Sequence, residues 1–362
     1  AVDYDNENDK LKTTVSFKKL FVKFNKIDLN KQFILVESID LSNAKGILAL
    51  AKKDKIIPKK VAIANETSDW EIKISKTNFD KINFRYDNND VVAVKKGIDY
   101  NHLNLSNLNL NIENINYNPE NISGNINSLT VKEQSGLAIE SLKTDFFYGK
   151  KNAYLKNLYL KTPQTLLKDE LVIGYPNIES ITENLGELSI KASLKDSKLG
   201  FKDILLFVPK LSETNPFKNN PNAILRINST VSGKLKSIEI PNLEISGIGT
   251  TKIAASGRIV GLPDFKKANF DIVIKDFKSS SKDLNQFVPK GTIPNSIALP
   301  AQFGAKGIFK GTIANFNTNM NVQSSFGNAK IKATFDQRIK NKEQYNAETE
   351  LENFDLGKFI KN

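Results

Sequence analysis

The chain has 362 residues and carries 52 Lys+Arg against 40 Asp+Glu, a net charge of +12. With no Cys and one His, it cannot hold disulfides, thiolate zinc sites, a Cys nucleophile or a multi-His metal centre. Forty per cent apolar residues argue against wholesale disorder, and only four of the 52 cations are Arg, the residue nucleic-acid sites favour.

The opening Ala1-Val2-Asp3-Tyr4-Asp5 lacks the basic and apolar regions of a signal peptide. Acidic stretches at Asp3-Asp5-Glu7-Asp9 and Asp87-Asn88-Asn89-Asp90 resemble pieces of a calcium loop. Neither has the Gly and distal Glu that would complete one, so they read as a flexible terminus and a turn. The longest apolar runs, 47–51 and 204–208, fall far short of the ~20 residues a membrane-spanning helix needs.

Onward from Trp70 the pattern has period two. Trp70, Ile72 and Ile74 alternate with polar residues, as do Leu108, Leu110 and Ile112. The same holds for Leu188, Ile190, Ala192 and Leu194, for Phe270, Ile272 and Ile274, and for Ile331, Ala333 and Phe335. Such alternation predicts strands with one apolar and one wet face. Turns at 118–121 and 149–152 separate them, giving about twenty-five strands in an antiparallel meander. Around His102 the parity shifts: Leu103 and Leu105 are odd, Leu108 to Ile112 even, Ile115 and Tyr117 odd. Each shift requires a bulge or a tight turn. His102 itself has no partner set for catalysis and reads as a strand-edge residue.

Short helices are predicted over 176–186, 202–208, 282–288 and 356–360. In the first, Ile178, Ile181 and Leu185 would share a face between Pro176 and Gly186. Lys pairs at 18–19, 52–53, 59–60, 95–96, 150–151 and 266–267 read as solvated edge and turn charges, with anionic headgroups as a second use. Asn occurs 43 times and reads, like Lys, as a compositional bias of surface positions.

The segment Lys202-Asp203-Ile204-Leu205-Leu206-Phe207-Val208-Pro209-Lys210 returns 80 residues later as Lys282-Asp283-Leu284-Asn285-Gln286-Phe287-Val288-Pro289-Lys290. A third copy begins at Glu352-Asn353-Phe354-Asp355-Leu356-Gly357-Lys358-Phe359-Ile360. Repeats of several strands and a short helix imply an array. The reading is one continuous array over 1–362, subdivided at 1–187, 188–290 and 291–362, and part of a longer or processed protein. One-sided strands must hide their apolar face, and a long sheet rolled into a trough extends naturally by repeats. At roughly 4.8 Å per strand it would run on the order of 100 Å. The wall is assigned to Leu105, Leu110, Ile126, Leu129, Leu155, Leu160, Ile190, Leu194, Ile240, Ile245, Ile272 and Ile331.

The one-sided strands, the returning Phe-Val-Pro-Lys segment and the stretches Gly97-Ile98-Asp99-Tyr100-Asn101-His102-Leu103-Asn104-Leu105 and Ile122-Ser123-Gly124-Asn125-Ile126-Asn127-Ser128-Leu129 resemble the TamB/AsmA-like family of Gram-negative envelopes. The likeness runs over residues 20–362 and lies in pattern, without a catalytic motif. It implies an all-β fold: an elongated, curled antiparallel sheet forming a repeating groove, a β-taco, with an apolar interior and a few short helices. It also implies a periplasmic location, with an inner-membrane anchor outside this chain. The implied activity is phospholipid transport between membranes. The alternative is a scaffold for outer-membrane barrel assembly with a TamA/BamA-class partner. The chain is read as a monomer without enzymatic activity, cofactor or metal. A glycan-binding solenoid is disfavoured by the single Trp, and an enzyme by the absence of an acid, base and nucleophile constellation.

Overall fold

A computed structural model describes residues 2–7, 11–50, 69–287, 295–339 and 342–361. The chain is all-β and divides into two compact units, Ala1–Leu166 with Asp203–Pro209, and Leu167–Lys202 with Lys210–Asn362. This division falls at 166/167, whereas the sequence repeat suggests boundaries near 187 and 290.

The first unit contains β1 (Val2–Glu7), β2 (Leu11–Asp28), β3 (Phe33–Leu50), β4 (Glu71–Asn88), β5 (His102–Asn118), β6 (Asn121–Glu133), β7 (Ala138–Gly149) and β8 (Asn152–Lys161). They pair in chain order. The pairs are antiparallel except β3–β4, which is parallel, so the sheet is mixed and the expected pure meander is corrected there. The linking residues 51–68 lie outside the described residues, and with them the Lys pairs at 52–53 and 59–60.

Strands β2 to β5 run for 17 or 18 residues, so the described strands are fewer and longer than the expected twenty-five. The reason is that parity breaks within a strand as well as between strands. In β5 the two shifts predicted around 107 and 114 are bulges, with Asn107 at φ 51° and Asn114 at φ 54°. Asn tolerates this left-handed backbone better than most residues. The turns predicted at 118–121 and 149–152 are the hairpins joining β5 to β6 and β7 to β8.

The second unit takes up most of β9 (Leu166–Gly174), then β10 (Ser189–Gly200), β11 (Ile224–Lys234), β12 (Ser237–Ile248), β13 (Thr251–Val260), β14 (Asn269–Ser280), β15 (Gln302–Gly311), β16 (Asn315–Ser324), β17 (Gly327–Asp336) and β18 (Gln344–Glu352). From β10 on, neighbours in sequence pair antiparallel.

Four short α-helices punctuate the chain: α1 (Ser180–Glu183), α2 (Phe201–Phe207), α3 (Ser281–Phe287) and α4 (Leu356–Phe359). All four were expected. Residue 288, the last of the predicted third helix, and the rest of its Val288-Pro289-Lys290 lie outside the described residues. The first helix is shorter than expected. One turn at 180–183 and a 3-10 turn at Leu185–Glu187 replace a helix over 176–186. The three-residue face never forms, and Ile178 and Leu185 are exposed.

Few side chains are fully buried. Among the described residues 14 apolar side chains are buried while 27 large ones are exposed, so neither unit is organised around a conventional closed core.

Candidate apolar binding face

Register places apolar side chains in rows that cross many strands. In the first unit Leu20, Leu41, Phe79, Leu110, Leu129, Leu142 and Leu160 are successive cross-strand partners from β2 to β8. A parallel row runs Ile27, Ile34, Ile72, Tyr117, Ile122, Tyr148 and Ala153. Directly opposed residues project to the same side of a sheet, so these rows build one apolar face. The opposite face carries a polar row, Lys23, Ser38, Lys76, Glu113, Asn125, Asp145 and Lys156.

Side-chain amides stitch that polar face together. Asn78 donates to Asp40 at 2.7 Å, Asn111 to Asn78 at 2.5 Å and Asn127 to Asn111 at 2.8 Å. Asn114 donates to Asn125, and Asn125 and Asn157 both donate to Asp145 at 2.6 Å. The Asn content that reads as compositional bias thus has structural work on the wet face and at the bulges.

The second unit repeats the arrangement. Ile227, Ile245, Ile253, Phe277, Ala305, Val322, Ala329 and Leu351 form an unbroken apolar row from β11 to β18. At the far edge of the same face, Phe265, Phe270, Phe309, Phe316 and Phe335 make a run of ring contacts with centroids 5.0–6.2 Å apart.

All twelve residues assigned to the wall are half-buried. Leu105, Leu110, Ile126, Leu129, Leu155 and Leu160 share the apolar face of the first unit, where Leu105 opposes Phe84, Ile126 opposes Ile112 and Leu155 opposes Phe146. Ile190, Leu194, Ile240, Ile245, Ile272 and Ile331 share that of the second, where Ile272 opposes Phe309 and Ile331 opposes Met320.

Three of the short helices, α2, α3 and α4, close one edge of this face by a common device. Each follows a strand and packs on the hairpin turn two strands back. In α2, Asp203 accepts hydrogen bonds from Thr162 at 2.6 Å and Thr165 at 2.5 Å, in the turn after β8. In α3, Asp283 is 3% exposed and accepts from the backbone N–H and the hydroxyl of Thr250, both at 2.7 Å, in the turn after β12. At α4 the contact is backbone and aromatic: Asp355 N–H donates to the Phe326 carbonyl at 2.7 Å, and Phe354 meets Phe326 edge-on. Gly249 shows how closely the second turn is built around its helix. It sits at φ +53°, and a Cβ there would collide with the Asp283 carboxylate.

Apolar hollows lie between successive helices of the second unit. One of about 240 Å³ is lined by Phe201, Phe217, Leu225, Ile253 and Phe287. The larger, about 470 Å³, lies between α3 and α4 over β15 to β18, with Leu284, Phe303, Val322, Ile331, Leu351 and Phe359 on its walls. Of the predicted wall residues, Ile245 reaches the smaller hollow and Ile331 the larger. The others went unassigned because strand parity does not reveal where a helix folds back. The available signal was the Asp that opens each helix, at 203, 283 and 355.

His102 lies at the start of β5, where its Nε2 donates to the Val91 carbonyl at 2.9 Å and its Nδ1 lies 3.3 Å from Asp87. These bonds fix a loop, and they raise the imidazole pKa, the Val91 bond contributing most. Among the described residues no three His, Asp or Glu side chains gather as metal ligands, and no helix is long and apolar enough to cross a membrane. No protein-family model, curated protein or solved structure matches the chain.

Proposed function

We propose that the apolar face of each unit binds the hydrocarbon chains of lipids and carries them between membranes. The observation behind this reading is the set of unbroken apolar rows, half-buried to exposed for all but Ala329, on a sheet with no closed core. Each methylene moved from water onto such a face contributes about 0.8 kcal/mol, and generic Leu, Ile and Phe side chains suffice. The polar opposite face keeps the sheet in water. On this reading the chain is periplasmic, with its resemblance to the TamB/AsmA-like family supplying the location and the phospholipid cargo.

Replacing Leu110, Leu194 or Ile272 with Asp tests it. Folded variants should lose transfer of phospholipid between donor and acceptor vesicles. Normal transfer by all three would exclude the face as the lipid path.

A second reading draws on β18. Its residues are exposed throughout, and its pairing among the described residues is with β17. Such an edge offers backbone groups to an added strand, as a scaffold for barrel assembly with a TamA/BamA-class partner would require. Crosslinks from β18 to nascent barrel strands, in protein free of lipid, would favour this second role.

A further inference from the structure

The hollow between α3 and α4 differs from the rest of the face in being closed at one edge. Its walls are Leu284 of α3, Phe303, Val322 and Leu351 of the sheet, and Phe354 and Phe359 beside α4. At about 470 Å³ it has roughly three times the volume of a 150 Å³ cavity that accommodates benzene. No charged side chain lines it. A carboxylate or phosphate placed there would give up hydration without gaining a charged partner.

The opposite edge of the same sheet has different chemistry. There the apolar face ends in the Phe265–Phe270–Phe309–Phe316–Phe335 run. Lys266 and Lys267 follow Phe265 in the turn after β13, and Arg338 and Lys342 lie in the turn after β17. Asp264 and Asp336 engage Lys267 and Arg338, and Glu343 lies in the same turn as Lys342. Lys266 is exposed at this edge. A chain with an anionic head therefore finds cations and water at one end and an apolar hollow without charged side chains at the other.

We infer that an acyl chain occupies the last repeat in one direction, methyl end in the α3–α4 hollow and anionic head at the phenylalanine edge. The inference rests on the acyl-chain reading above and adds polarity to it. The helices act as end-stops: α3 is held by Asp283 on the turn after β12, and α4 by the Phe326 carbonyl and ring. One chain then lies along the strands, because the hollow and the phenylalanine edge are opposite ends of the same strands.

The chain's single Trp makes this measurable. In a Trp70→Phe background, Leu351→Trp places a reporter at the hollow and Tyr345→Trp places one near the other end of β18. The two positions are six residues, about 20 Å, apart on one face. Leu351 is 46% exposed and Tyr345 81%, so neither change disturbs a core. Stearic acid carrying a nitroxide near its methyl end, or near its carboxylate, is the quencher. The methyl-end label should cause the greater loss of emission at position 351, and the carboxylate-end label the greater loss at 345. Replacing Lys266 and Lys267 with Gln should weaken binding in low salt without exchanging the two patterns. Equal quenching by both labels, or the reverse order, overturns the assigned direction and leaves acyl binding standing. No quenching at either position overturns the acyl-chain reading itself.

Discussion

Single residues do more here than their types suggest. Asp283 is the clearest case, since it satisfies two donors of Thr250 while buried, and its Ser280 neighbour accepts its own N–H at 3.1 Å. Asp283→Ala leaves those donors unpaired and should cost about 1–3 kcal/mol in denaturant unfolding. Gly249→Ala should match it, because the added methyl displaces the same carboxylate. His102 carries a pH effect of defined sign. Its folded pKa is raised above 6.5, mainly by the bond to the Val91 carbonyl, so its contribution is complete below the unfolded pKa and fades as pH rises through the folded one. The stability difference between the native chain and His102→Gln should therefore shrink on going from acid to alkaline pH. Glu187 works in the opposite sense. Hydrogen bonds from Lys234 and Lys236 pull its pKa to about 2, and its contribution disappears only as pH falls toward that value.

At the scale of the element, the strands were legible because their two faces meet different solvents. Alternation marked the apolar side of β5, and the parity breaks located its bulges at Asn107 and Asn114. These bulges hold a left-handed backbone. Asn114→Gly should be nearly neutral, whereas Asn114→Val should cost about 1–2 kcal/mol in the same unfolding measurement. Other features left no local trace. The parallel pairing of β3 with β4 depends on a connection, not on either strand's pattern, since a buried apolar face reads alike in both orientations. Strand number was overestimated for a related reason: a bulge and a turn break parity in the same way. Helices α2 and α3 were legible from the repeated Lys-Asp segment, but their docking was not. The partners Thr162, Thr165 and Thr250 lie 33 to 41 residues away in sequence and look like ordinary turn residues.

At the largest scale, the repeated design within the second unit is four strands closed by one helix: β11 to β14 with α3, and β15 to β18 with α4. Each repeat extends an apolar face on one side and a hydrated face on the other. The twelve wall residues could be assigned to that face from parity alone, because side-chain direction in a strand is a local property. The hollows between helices could not, because they arise from long-range packing. The surplus of Lys sits on the hydrated side and in turns, often beside Glu or Asp, as in Lys23–Glu37, Lys310–Asp271 and Lys330–Glu350. Such exposed pairs contribute little to stability, so the charge serves solubility more. On the proposed function the apolar face is also the binding face, which makes its occupancy the decisive quantity. Native mass spectrometry of protein purified without detergent measures that occupancy directly. The expected spectrum shows phospholipid bound to the folded native chain, and less of it on the Leu110→Asp, Leu194→Asp and Ile272→Asp variants. Folded protein that is consistently free of lipid, in the native chain and the variants alike, would contradict the account.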